Sequence, residues 1–138
     1  MMTDHNLIRM DLPCNNKYLN VVGAAVTEFM IRAITDDETH LYNMQLAVQE
    51  VCTNIIDHAY PDTTHGRMKL TMQIDDVGKL IITVQDKGVP FASEIEEDTL
   101  PPEAQVRGYG LHLIKSLVDE LTYTRQDNVN LWTLTKSI

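Results

Sequence analysis

Apolar residues recur along this chain in two rhythms, one of period two and one of period three to four. From Asn6 to Leu12 apolar and polar positions alternate through Leu7, Ile8, Met10 and Leu12, which predicts a short strand closed by Pro13. Asn15 or Asn16 then caps a helix expected over Lys17 to Thr35, with Leu19, Val22, Val26, Phe29, Met30 and Ala33 at helical spacing. Asp36 and Asp37 supply a turn and a second cap. A second helix is expected from Glu38 to Ala59, its stripe running through Leu41, Met44, Val48, Val51, Cys52, Ile55, Ile56 and Ala59. It stops before Pro61, because the residue preceding a proline disfavours helix.

Two strand-like runs follow, Arg67 to Ile74 and Lys79 to Gln85, joined by a hairpin turn at Asp75 to Gly78. The rhythm then breaks. Residues 87–107 hold Pro90, Pro101 and Pro102 and the acidic run Glu94 to Asp98, an irregular stretch of the kind that often forms a functional lid. Gly108 to Asp119 reads as a third helix. Leu121 to Gln126 and Leu131 to Thr135 read as two last strands around a turn at Asp127 to Asn130. Clustered strands with helices between them predict an α+β, two-layer sandwich, with helices on one face of a mixed, largely antiparallel sheet.

The chain has 138 residues, which fits a single domain spanning 1–138. A 43% apolar content supports a packed core and argues against disorder. The net charge of −9 argues against general nucleic-acid binding, because an acidic surface repels a phosphate backbone. It suits a basic protein partner, and solubility accounts for it equally well. Cys14 and Cys52 form no CxxC pair, so neither a disulfide framework nor a structural zinc site is expected. No basic-then-apolar block opens the sequence, and the longest apolar run, Val21 to Val26, is far short of the roughly 20 residues that span a membrane. The expectation is a cytoplasmic protein with no membrane partner.

Three polar features carry candidate chemistry. Glu50, Asn54, Asp57 and His58 share one face of the second helix by their spacing. The Asn54 amide oxygen is a hard ligand suited to Mg²⁺, and Glu50, one turn earlier, could accept a proton from a hydroxyl. The alternative is an ordinary polar helix face, with His58 favoured by the helix dipole. Asp86-Lys-Gly88-Val-Pro90-Phe91 follows a strand, where a carboxylate could accept from an exocyclic amine such as that of adenine. Its alternative is a plain turn. Arg107-Gly108-Tyr109-Gly110-Leu111 opens the third helix, where backbone N–H groups favour anions. No Lys-Ser/Thr pair follows, which excludes a P-loop, and Leu113 stands where a dinucleotide fingerprint needs its third glycine.

In this order and on these elements, Glu50-Val-Cys-Thr-Asn54-Ile-Ile-Asp57-His58-Ala59-Tyr60, Asp86-Lys-Gly88-Val-Pro90-Phe91 and Gly108-Tyr-Gly110-Leu111-His112-Leu113-Ile114 resemble the N, G1 and G2 boxes of the GHKL ATPase superfamily. The His58-Ala-Tyr60 ending and the segment Leu117 to Tyr123 resemble its anti-sigma-factor serine kinase branch most closely. The resemblance covers nearly the whole chain. It implies the Bergerat ATP-binding fold, the cofactors ATP and Mg²⁺, and a serine/threonine-protein kinase. Glu50 would be the catalytic base, Asn54 the Mg²⁺ ligand, and Asp86 the acceptor of the adenine amine, with Gly88 beside the ring. Gly108, Gly110 and Arg107 would meet the phosphates. Asp57, His58, Pro90, Tyr109, Leu111 and Thr133 complete the implied nucleotide site, with an ATP lid over about 92–107. Pro90 replaces the second glycine common in the wider superfamily; a proline there is familiar in the anti-sigma branch. The implied partners are an anti-anti-sigma protein, which is phosphorylated, and a sigma factor, with a homodimer as the assembly. A non-catalytic ATP-binding switch of the same fold, or a histidine-kinase-type ATPase domain, would share these boxes.

Overall fold

The computed structural model describes residues 6–62, 65–91 and 102–138, with the side chains of residues 102–109 left aside. The elements run β1 (Leu7–Pro13), α1 (Leu19–Ala33), α2 (Glu38–His58), β2 (Arg67–Ile74), β3 (Lys79–Asp86), α3 (Pro102–Leu117), β4 (Glu120–Gln126) and β5 (Val129–Ser137). A 3-10 turn, Asn16–Tyr18, leads into α1 and is capped by Asn15, whose side chain accepts from the Lys17 N–H. Asp37 caps α2 by accepting from the His40 N–H at 3.1 Å, as the sequence suggests.

The five strands form one sheet in the order β1-β2-β3-β5-β4. Every pairing among the described strands is antiparallel, which corrects the expectation of a mixed sheet. Short hairpin turns join β2 to β3 and β4 to β5, and β3 pairs with β5, so no parallel neighbour arises. In the first turn Asp75 Oδ1 accepts from the Val77 and Lys79 N–H groups, and Gly78 takes φ 85°. In the second, Asp127 and Asn128 both hold positive φ (54° and 64°), which matches the twist of the flanking strands.

Strand alternation sends Leu70, Met72, Leu80, Ile82, Val84, Trp132 and Leu134 to the helical side, where all are buried. The stripes of α1 (Val22, Val26, Met30) and α2 (Met44, Val48, Val51, Cys52, Ile55) close the core against them. Cys52 is buried in that core as expected, and burial pushes its thiol up to about 12. The third helix starts at Pro102, six residues before the expected Gly108. Proline suits a first helical position, and Glu103, Ala104 and Gln105 are good helix formers. Residues 92–101 of the expected lid lie outside the described residues. Among the described residues no helix is long and apolar enough to cross a membrane.

Candidate functional site

The site forms where the end of the central strand β3 meets the C-terminal half of α2. Asp86 is the last residue of β3, and its parity turns it toward the helices, so it is only 3% exposed. Its Oδ1 accepts from the Gly88 N–H at 2.8 Å and from Asn130 Nδ2 at 2.8 Å. Both bonds fall on Oδ1, so Oδ2 takes none among the described residues. Burial raises the Asp86 carboxyl above its ordinary value, against the opposing pull of the Asn130 and Gly88 donors and the Arg125 charge.

The loop after Asp86 is pinned from both sides. The Val89 N–H donates to the Ala59 carbonyl at 2.7 Å. A Cβ at Gly88 would lie 2.0 Å from that same carbonyl oxygen, so no side chain fits there. Glycine is thus demanded by the packing of loop on α2, a stronger reason than the ring contact expected from the sequence. On the other side Asn130 Nδ2 donates to the Val89 carbonyl at 2.9 Å, Arg125 Nη1 to the Gly88 carbonyl at 2.9 Å, and the Phe91 N–H to Tyr123 Oη at 3.0 Å. Asn130 Oδ1 in turn accepts from Tyr123 Oη–H at 2.6 Å and Arg125 Nη1 at 2.8 Å.

Asn54, His58, Asp86 and Pro90 line one cavity together with Ile55, Ala59, Val89, Phe91, Tyr123, Asn130 and Trp132. Its free space is about 10 Å³, room for a single water. Phe91 lines it, edge-on to Trp132 with centroids 5.1 Å apart and tilted against Tyr123 and His58 at 6.3 and 6.5 Å.

Beside the cavity Gly110 faces the polar row of α2. A Cβ there would sit 3.5 Å from Glu50 Oε2 and 3.9 Å from Asn54 Oδ1. Leaving it out keeps the backbone of α3 open toward the carboxylate and the amide. Asn54 Nδ2 is buried without a hydrogen-bond partner among the described residues, an unsatisfied group of the kind that marks a ligand position. Among the described residues no cluster of three His, Cys, Asp or Glu side chains could hold a metal by itself. One amide oxygen suits Mg²⁺, which is commonly held by few protein ligands, several waters and substrate phosphates. The donor set therefore fits an ATP–Mg²⁺ pair.

Other expected positions lie elsewhere. Asp57 is exposed on α2, and Leu111 is buried in the core, where it anchors α3. Arg107, Gly108 and Tyr109 lie within α3 and do not open it. Inside a helix the backbone N–H groups are committed to carbonyls four residues earlier, so the helix-start argument for anion binding does not apply to Gly108 and Gly110 in this arrangement. Thr133 is corrected: it pairs with Thr83 and Thr122 on the sheet face away from the helices. Asn130, placed in a turn by the sequence reading, sits inside β5 with inward parity and is 2% exposed. The signal was present, since Asn130 shares the parity of the apolar Trp132 and Leu134.

Over residues 12–136 the sequence matches the family described as histidine kinase-like ATPase domain. The chain belongs to that family. Within it the chain is 26% identical over 140 residues to the serine-protein kinase RsbW of Bacillus velezensis, covering 95% of this chain and 86% of that protein. It is 29% identical over 136 residues to the serine-protein kinase RsbW of Oceanobacillus iheyensis, covering 93% and 85%. Among solved structures, the RsbU and RsbW domains of a Mycobacterium tuberculosis protein superpose with a TM-score of 0.71 at 18% identity, over 95% of this chain and 32% of that one. This chain thus spans about a third of that protein's solved length. The SiaB–SiaC complex of Pseudomonas aeruginosa contains a chain matching with a TM-score of 0.60 at 14% identity, over 95% and 89%. The structural matches concern the fold of the histidine kinase-like ATPase domain.

Proposed function

We infer that this domain is an ATP-dependent protein-serine/threonine kinase of the anti-sigma type, which phosphorylates an anti-anti-sigma protein and sequesters a sigma factor. The observation that carries the reading is the shared cavity of Asp86 and Asn54, with Glu50 and Gly110 at its side. Serine-protein kinases among the similar proteins support it.

The roles follow from placement. Asp86 Oδ2 accepts from the exocyclic amine of adenine, while Oδ1 stays committed to Gly88 and Asn130. Asn54 Oδ1 holds Mg²⁺, which neutralises charge on the phosphates. Glu50, one helical turn away on the same face, takes the proton of the attacking serine hydroxyl. A carboxylate at that position serves proton transfer and is not needed for binding alone. Residues 1–138 act as one domain, as a cytoplasmic homodimer, and the exposed Ile8, Val21 and Ile31 on β1 and α1 support pairing through that side.

The test is calorimetric titration with ATP, with and without Mg²⁺, followed by incubation with γ-labelled ATP and a serine-bearing anti-anti-sigma protein. Binding that Mg²⁺ strengthens, together with label on serine, supports the kinase. Binding without transfer leaves a nucleotide-dependent switch. No binding under either condition removes the ATP reading.

A further inference from the structure

We propose that Asn130 is the positioning residue that makes the base site select adenine over guanine. The inference rests on the ATP reading above and goes beyond it, because Asn130 belongs to none of the three sequence boxes. Its hydrogen-bonding capacity is fully used. The amide N–H groups go to Asp86 Oδ1 and the Val89 carbonyl, with a longer reach of 3.3 Å to the Gly88 carbonyl. The amide oxygen receives Tyr123 Oη–H and Arg125 Nη1, two donors that fix which way the amide faces. The side chain cannot flip without placing its N–H groups against both donors.

The consequence falls on Asp86. A carboxylate oxygen has two lone pairs. Gly88 takes one on Oδ1 and Asn130 the other, so Oδ2 is the acceptor left for a base. Adenine offers one exocyclic amine beside a ring nitrogen that is itself an acceptor, and a single free oxygen suits it. Guanine offers two adjacent donors, the ring N–H and the exocyclic amine, which match a carboxylate with both oxygens free. By occupying Oδ1, Asn130 denies guanine that two-point contact. Tyr123 and Arg125 act one step further out, by holding Asn130.

The experiment measures Kd for ATP and for GTP with the whole chain, for the wild type, Asn130→Ala, Tyr123→Phe and Arg125→Ala, with thermal melting as the check on folding. The wild type should prefer ATP. Asn130→Ala should lower the ATP-over-GTP preference by about tenfold, the scale of one freed hydrogen-bonding group in a buried site. Tyr123→Phe and Arg125→Ala should lower it in the same direction and by less. If Asn130→Ala does not fold, those two variants decide the question. Affinities for both nucleotides falling together, with the preference kept within about twofold, would mean Asn130 only supports the loop and would overturn the inference while leaving the ATP site standing. A wild type that binds neither nucleotide removes the site reading and this inference with it.

Discussion

At one end of the site Asp86, Asn130 and the backbone of residues 88–91 are bonded to one another, whereas at the other end Asn54 Nδ2 is buried with no partner among the described residues. The base end is assembled before any ligand arrives. Its acceptor is oriented by two donors, and the loop carrying it is held by α2 on one side and the β4–β5 hairpin on the other. The other end has its polar groups on one helix face and leaves the Asn54 amide N–H unsatisfied among the described residues. On the proposed reading, base recognition would be preorganised, and the end at Asn54 would gain hydrogen bonds from what binds there.

The sharpest break in that comparison is Glu50→Gln. Phosphoryl transfer should fall by about 100- to 10,000-fold, the usual contribution of a positioned base, while ATP affinity changes by no more than about twofold. Single-turnover labelling beside calorimetry separates the two. An affinity loss as large as the rate loss would place Glu50 in binding.

Next in size is Asp86→Asn, which should weaken ATP binding by about 100-fold, because an amide N–H replaces an acceptor facing the adenine amine. Its melting temperature should hold or rise, since burial raises the Asp86 carboxyl and so disfavours the charged form in the folded chain. A large drop in melting temperature would show that the carboxylate is needed by the fold.

A smaller effect is expected of Asn54→Ala. The strengthening of ATP binding by Mg²⁺ should shrink by about tenfold, and stability should barely change, because the deleted amide carries an unpaired buried N–H group. A persisting Mg²⁺ effect would move the metal elsewhere.

The smallest effect is that of pH. Asp86 has a folded value above the ordinary 3.8, so its proton favours the folded state. That contribution is fully present below the unfolded value and is lost as pH rises through the folded one. On the proposed reading ATP binding runs the other way, weakening as pH falls through the raised Asp86 value. Asp86→Asn should remove this part of the pH dependence. A wild-type profile identical to that of Asp86→Asn would show that Asp86 does not titrate in the site.

The two ends also differed in how far the sequence disclosed them. The row Glu50, Asn54 and His58 was legible because helical spacing is local, and Asp86 because it closes a strand before a break in pattern. The helices and hairpins emerged for the same reason, each from its own residues and caps. Asn130, Tyr123 and Arg125 were not assigned to the site because they reach it from another hairpin, across a strand pairing that sequence spacing does not reveal. Thr133 shows how this fails: it lies three residues from Asn130 on the same strand, and an odd offset reverses the face. The start of α3 was missed for a different reason, since Pro101-Pro102 reads as a break yet a proline can begin a helix.

Trp132 is the single tryptophan of the chain, 2% exposed, with its ring centroid 4.7 Å from that of Tyr123 and 5.1 Å from that of Phe91. The molecule thus carries its own optical gauge of the base site. Buried indole emits toward the blue, and this indole lines the cavity where the proposed adenine would sit. If nucleotide binds there as proposed, its arrival should change the emission of this one residue, with no dye attached.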